Sequence, residues 1–565
     1  MQAETVLHKQ DKQPGIFWFQ WSFRLVIALS ALAYFWIWRF FMNADGVAYL
    51  DQGDLWWKGD WHNALNAFWS PLYAWLTGLM LLLTKPTMRW EFPAVQLVNF
   101  AIFILMLFCF EFFWRELLLT RSQDALTGQS SLYAWTLGYV LFFYVHIGVP
   151  GLAYVNPDLL VAAMTYAASG MMLRFSSGRM KVASAALLGC ALGIGFLAKT
   201  VMLPFGLVVL ATMLAVAWRR RAGARLVGVA LLGFLAISTP FIAALSWNYH
   251  RFTFGDSAKL NAAWFISGAR PLYRHWQGNG TIAATPQHPT RKLLNWPEVY
   301  EFATPVAGTY PVWYDPTYWW AGIYARLTPA LELGALRRSL WRIEHYPKAY
   351  LVFVIVALLM LLVSHRSRDF LSRLVRFWPV LVPAAAVFLM YAALNWEPRY
   401  TAGAMVVGCG AVIASTMISG EEKRTKVLRA TSMLIAALVV GLVLVNLGRS
   451  YGVSGILAQR IELAENLRAV GIEPGARIAL IGDGLHAGDW ARLDKARIIA
   501  EVPHNLGTGD SVAAFWKLSP EKEQSVLNIL RSTGAQAVVA DVQPKTLPPG
   551  WVRVGNTGHS VFFFR

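Results

Sequence analysis

The sequence predicts a polytopic α-helical membrane protein with a small α/β domain at its C-terminal end. Three observations carry this. Of 565 residues, 56% are hydrophobic and 15% charged, where an ordinary soluble domain has about a quarter charged, and the mean hydropathy is +0.43. Apolar runs of roughly 16 to 22 residues recur, near the length that a hydrocarbon core of about 30 Å asks of a helix. Beyond residue 450 the runs shorten and turn signals separate them. A large soluble helical core would need polar helix faces that the long runs lack.

The elements follow in order. "MQAETVLHKQDKQ" leads into "FRLVIALSALAYFWIWRFF", and with no small-residue cleavage site behind a short apolar region this reads as an uncleaved anchor. The basic stretches "WRRRAGAR" (218–225), "SHRSRDFLSRLVR" (364–376) and "EEKRTKVLR" (421–429) mark the cytoplasmic side. The net charge of +18 therefore sets topology and is no sign of nucleic-acid binding. Counting back from 218 places spans near 201–217, 182–198, 157–173, 132–149 and 93–114. The first span and the one at 93–114 both leave residues 43–92 outside. The segment between, "SPLYAWLTGLMLLLT" (70–84), is too short to cross. It reads as a re-entrant or juxtamembrane helix in a Trp-rich outer loop with Trp56, Trp57, Trp61 and Trp69.

Counting forward gives a span at 225–246, a large outer loop at 247–346, and spans near 349–364, 376–394, 400–418 and 430–447. The result is about eleven transmembrane helices in an integral inner-membrane protein, N-terminus cytoplasmic. The membrane body is 1–449 and an extracytoplasmic α/β domain is 450–565. In that domain "LAENLRAVG" and "SPEKEQSVLNILRSTG" read as helices, and "ARIALIGDG", "AQAVVADV" and "HSVFFFR" as strands. Cys109, Cys190 and Cys409 lie far apart in apolar runs and read as small core residues. The "GDGLHAG" at 482–488 lacks the context of a dinucleotide loop and reads as an ordinary strand-to-helix turn. No internal repeat is visible, which weighs against an inverted-repeat transporter.

With this topology several unusual polar groups share the outer face. They are the aspartates of "MNADGVAYLDQGDLWWKGDW" (42–61), Asp158 in "NPDLL", Lys199 in "GFLAKTVMLP", and Glu397 and Arg399 in "NWEPRYTAG". Charge at membrane depth is costly, so such groups pair, snorkel or mark a functional cavity. Asp158 can simply cap its helix, Lys199 and Arg399 can snorkel to headgroups, and Asp51, Asp54 and Asp60 read first as a solvated helix face. Asp45 differs, because it stands at the exit of the first span. Two acids and two cations at one outer surface suit transfer of a sugar from a lipid phosphate: one carboxylate takes the acceptor's proton, and the cations stabilise the departing phosphate.

An Asp just after the first span, "PLY" after a Trp-rich loop, an outer "PD", the "GFLAKT" turn and "EPRY" before a late span resemble the GT-C glycosyltransferase superfamily. The likeness is to its bacterial protein-mannosyltransferase-like branch, which includes the aminoarabinose transferase, and covers roughly residues 20 to 420. The resemblance implies a polyprenyl-phosphate sugar donor, inverting transfer to a lipid, glycan or protein hydroxyl, and a periplasmic active site. It implies Asp45 as the catalytic or metal-holding carboxylate, Asp158 as the second acid, and Lys199 and Arg399 beside the donor phosphate. Gly46 stands where many relatives place a second, adjacent acid. A divalent cation (Mg, Mn or Ca) on Asp45 and Asp158 is the one cofactor this pattern admits.

Tyr49, Glu397, Trp313 and Tyr314 are candidate substrate contacts, the last two in "YPVWYDPTYWWAG" (310–322), where an aromatic belt on the bilayer reads equally well. Arg270, in "RPLYRHWQGNG", is a further candidate for the phosphate, although headgroup contact by Arg270, Arg274 and His275 is the plainer expectation. The rival readings are a flippase of a lipid-linked glycan, which needs a charged path through the bundle, and a non-catalytic assembly partner that works through its tail and large loop.

Overall fold

Runs that are apolar on all sides form long helices, and helices dominate from Pro14 to Val470. The structure is a computed structural model; it describes residues 14–120, 128–148, 151–269, 275–278, 285–346, 350–364, 367–418, 420–504, 510–542 and 544–564. The body comprises α1 (Pro14–Ile37), α2 (Ala44–Lys58), α3 (Pro71–Thr84), α4 (Met88–Thr120), α5 (Gly128–Phe143), α6 (Asp158–Ser176), α7 (Val182–Ala198), α8 (Met202–Arg220) and α9 (Ala224–Asn248). After the large loop come α10 (Leu351–Val363), α11 (Trp378–Leu394), α12 (Pro398–Ser415) and α13 (Glu421–Val470). Among the described residues a helix overlies each of the eleven segments read as crossings. By length and composition six are long and apolar enough to span: Phe17–Ile37, α4, α6, α8, α9 and α13. The shorter apolar helices include α3, α7 and α11.

Local chemistry sets several boundaries. Proline at the first helical position starts α3 after Ser70 and α12 after Glu397, where its missing N–H costs nothing. The helix expected for "LAENLRAVG" is the last part of α13, which runs on unbroken for 50 residues from the final apolar segment. It ends only at Gly471, left-handed at φ 112, whose N–H closes on the carbonyl of Arg468, the usual way a glycine stops a helix.

The tail forms β3 (Arg477–Gly482), α14 (Gly484–Leu493), β4 (Arg497–Pro503), α15 (Pro520–Ser532), β5 (Ala537–Ala540), β6 (Trp551–Arg553) and β7 (Ser560–Phe563). Strands β4, β3 and β5 are parallel neighbours, and β7 and β6 extend the sheet antiparallel. The sheet is not made from the tail alone. Two strands of the large loop, β1 (Arg291–Asn295) and β2 (Glu298–Glu301), complete a seven-stranded order β1-β2-β4-β3-β5-β7-β6, with Tyr300 opposite Glu501 in the antiparallel β2/β4 register. One apolar core runs from α1 through the bundle to Ile478, Leu480 and Trp490 beneath the sheet, and a second lies between the other face and α15.

Candidate active site

Helix α2 follows α1 after six intervening residues, and Asp45 sits in its first turn with Asn43 at the N-cap. The Asn43 side chain accepts the N–H of Val155 at 2.9 Å, which ties the start of α2 to the strap leading into α6. Gly46 explains itself here. A Cβ at that position would lie 2.6 Å from the Met42 sulfur and 2.7 Å from Val155 Cβ, so the second acid that many relatives of the resembled family carry has no room. The close approach brings Asp158, three residues after Val155, toward Asp45.

Asp158 is buried in the first turn of α6, its N–H donated to the Asn156 side chain. Lys199, in the turn between α7 and α8, donates to its carboxylate at 2.6 Å, and Arg399, in the first turn of α12, reaches the other oxygen at 3.5 Å. Aromatic faces hold both cations. The Lys199 ammonium lies 4.2 Å from the ring of Tyr400, and the Arg399 guanidinium 4.3 Å from Tyr154 and 4.9 Å from Tyr400, an arrangement that stabilises charge where water is scarce. Four elements distant in sequence thus supply one cluster.

Asp45 has different partners. Among the described residues its carboxylate accepts one side-chain hydrogen bond, from the Trp313 indole N–H at 3.1 Å. Burial pushes its proton affinity above the ordinary carboxylate range; Arg399, the Trp313 hydrogen bond and Lys199 pull the other way. The two acids therefore divide the work. Asp158 is committed to two cations, whereas Asp45 meets a neutral donor and keeps lone pairs for a proton, because burial without a bound cation favours the protonated form.

Trp313 is fixed by its surroundings. It stacks on Trp264 with ring centroids 6.0 Å apart and planes 10° apart, and its carbonyl accepts the Trp69 indole at 3.2 Å. The segment before it is clamped twice: Thr309 donates its N–H and hydroxyl to Asp51 at 2.6 and 2.9 Å, and the Tyr310 hydroxyl donates to Glu501 on β4 at 2.7 Å. Tyr49, buried about one turn along α2 from Asp45, packs edge-on against Trp69 and Tyr73.

The structure does not gather every candidate. Glu397 turns to Arg342 at 3.0 Å, an ion pair away from the cluster. The Tyr314 hydroxyl donates to the carbonyl of Asn63 at 2.7 Å, a contact that anchors the loop. Arg270 and Arg274 lie outside the described residues. Asp51 is neither solvated nor free: with Asp54 and Glu91 it surrounds Arg492 of α14 at 2.8, 2.9 and 2.8 Å. Sequence reasoning missed this because Arg492 is one of many arginines, with no local mark of burial.

The donor set does not suit a divalent cation. Among the described residues no group of three His, Cys, Asp or Glu side chains could hold one, and the Asp158 carboxylate already faces Lys199 and Arg399, whose positive charges would oppose a metal ion.

No family model and no curated protein matches the chain. Solved structures similar to it include ArnT from Cupriavidus metallidurans in the apo state, with 13% identity, 94% of this chain and 96% of that chain covered and a TM-score of 0.49. ArnT from the same organism bound to undecaprenyl phosphate gives 13% identity, 95% of this chain and 97% of that chain covered and a TM-score of 0.49. The Archaeoglobus fulgidus oligosaccharyltransferase tethered with an acceptor peptide gives 12%, 94% of this chain, 70% of that chain and 0.44.

Proposed function

We propose that this protein is an inverting glycosyltransferase that moves a sugar from a polyprenyl-phosphate donor to an extracytoplasmic hydroxyl. The observation that carries the reading is the division of labour between the acids: Asp158 pairs with Lys199 and Arg399, and Asp45 beside them is hydrogen-bonded to an indole. In the reaction the acceptor hydroxyl gives its proton to Asp45 as its oxygen attacks the anomeric carbon. The bond from that carbon to the phosphate oxygen breaks with its electron pair, and the phosphate leaves with added negative charge. Lys199 and Arg399 meet that charge, stabilising it more in the transition state than in the bound donor. Asp158 holds both cations in place. A single displacement inverts the anomeric carbon, and because phosphate leaves well no protonating acid is needed.

Asp45→Asn removes the base and keeps the shape. Consumption of a polyprenyl-phosphate sugar by detergent-purified protein should fall by about 10²–10⁴-fold, with binding of undecaprenyl phosphate unchanged. Full turnover in this variant would remove Asp45 from the mechanism. Turnover by the unmutated protein with no membrane to cross separates transfer from flipping. Lys199→Ala should instead weaken undecaprenyl phosphate binding.

A further inference from the structure

A cavity of about 300 Å³ lies at the C-terminal end of α2. At ~1.5 Å per residue, α2 carries Lys58 about 20 Å from Asp45, so this cavity is distinct from the cluster described above. Its walls are the C-terminal ends of α2 and α3, the start of α4 and the end of α14. The α2–α3 wall is tight: a Cβ on Gly78, which lines the cavity, would meet the Gly53 backbone at 2.8 Å and Trp57 at 2.7 Å.

The lining separates into two halves. Trp57, Leu81 and Leu82 form an apolar floor, and Leu82, the adjacent Leu83 and Trp90 near the start of α4 are exposed. Lys58, Lys85, Arg492 and Lys495 face Asp54 and Glu91. The carboxylates are already engaged, Asp54 by Arg492, and Glu91 by Arg492 and by Lys495 at 2.7 Å, and Asp51 also holds Arg492 from behind, so these three acids balance all but one of the four positive charges. Cations at helix ends favour the helix dipole, but the dipole does not account for their convergence on a hollow. The backbone adds a second observation. Lys85 and Lys495 hold left-handed conformations, at φ 42 and 55, where glycine sits without strain. What a lysine adds at these two turns is its charge.

We propose that this cavity binds the headgroup of an anionic membrane phospholipid, its phosphate between Lys58 and Lys85 and the first carbons of its chains on Leu81, Leu82 and Trp57. Ammonium groups serve as point-charge donors to phosphate, and an apolar floor leading to exposed leucines suits acyl chains and not a free inorganic anion. Through Lys495 and Arg492 the headgroup would touch the contact between the tail domain and α2. The proposal stands apart from the transfer reaction and does not depend on it.

Native mass spectrometry of the full chain released from detergent, titrated with phosphatidylglycerol or phosphatidylcholine, tests it. The unmutated protein should retain one phosphatidylglycerol at least fivefold more than phosphatidylcholine. Lys58→Gln with Lys85→Gln should abolish that preference, Lys58→Arg with Lys85→Arg should keep it, and Asp45→Asn should leave it intact. Equal retention of the two lipids, or an unchanged preference in the double Gln variant with an unaltered melting temperature, would overturn the proposal. Displacement of the retained phosphatidylglycerol by one equivalent of undecaprenyl phosphate would also overturn it, because the cavity would then be a donor site.

Discussion

The protonation chemistry of the cluster turns on one indole. Trp313 donates to Asp45 and so favours its ionised form, against burial, which favours the neutral one. Trp313→Phe keeps the aromatic packing on Trp264 and removes the donor, so the Asp45 pKa should rise further. A base works only when deprotonated, so the acidic limb of the activity profile should move to higher pH by up to about one unit; one unit corresponds to about 1.4 kcal/mol. Donor turnover measured from pH 4 to 8 checks this, and an unmoved limb would separate Trp313 from the base. The sequence shows that an acid stands at the exit of the first apolar run, and that Asp158, Lys199 and Arg399 lie near other helix ends. It does not show which acid the cations choose, because that choice is made between residues far apart in the chain.

At the scale of elements, the seam between α2 and α3 decides how the segment between α1 and α4 is built. A Cβ at Gly53 would lie 2.6 Å from the Ala74 carbonyl oxygen and 3.0 Å from Gly78 Cα. These are backbone atoms that cannot rotate away, so Gly53→Ala must part the helices. Overpacking of this kind costs about 1–3 kcal/mol, and a lowered melting temperature should accompany weaker turnover because α2 carries Asp45. Retained stability and activity would show that the helices tolerate the spread. Hydropathy was a good guide to the helices: each expected crossing lies under one, and the short apolar segment at 70–84 is the short helix α3. Period and composition are local properties. The unbroken α13 was less legible, since a change from apolar to polar residues does not by itself stop a helix and the stop comes only at Gly471.

Across the whole molecule, the tail domain is coupled to α2 and α4 through buried charge and to the large loop through shared strands. Arg492, itself buried, meets Asp51, Asp54 and Glu91, and Lys495 meets Glu91. Arg492→Ala would leave these acids without their central partner, and breaking a buried pair from one side costs about 3–5 kcal/mol. Limited proteolysis should then release the tail domain at protease levels that spare the unmutated protein, and equal resistance would show that the sheet alone holds the domain. Because Thr309 also binds Asp51, and Trp313 follows four residues later, loss of the domain contact should disturb the indole that serves Asp45.

What the sequence by itself determined is what short stretches can encode: apolar length, the basic loops, the turn and cap residues, and the presence of two acids and two cations beside helix ends. What only the tertiary structure decided are the pairings, with Asp158 taken by Lys199 and Arg399, Asp45 left to an indole 268 positions away, two loop strands lent to the tail's sheet, and Arg492 buried among three acids. The physical reason is range. Hydropathy and helix stops act over a few residues, whereas the partner of a buried charge depends on which distant helix ends the packed bundle brings within a few ångströms.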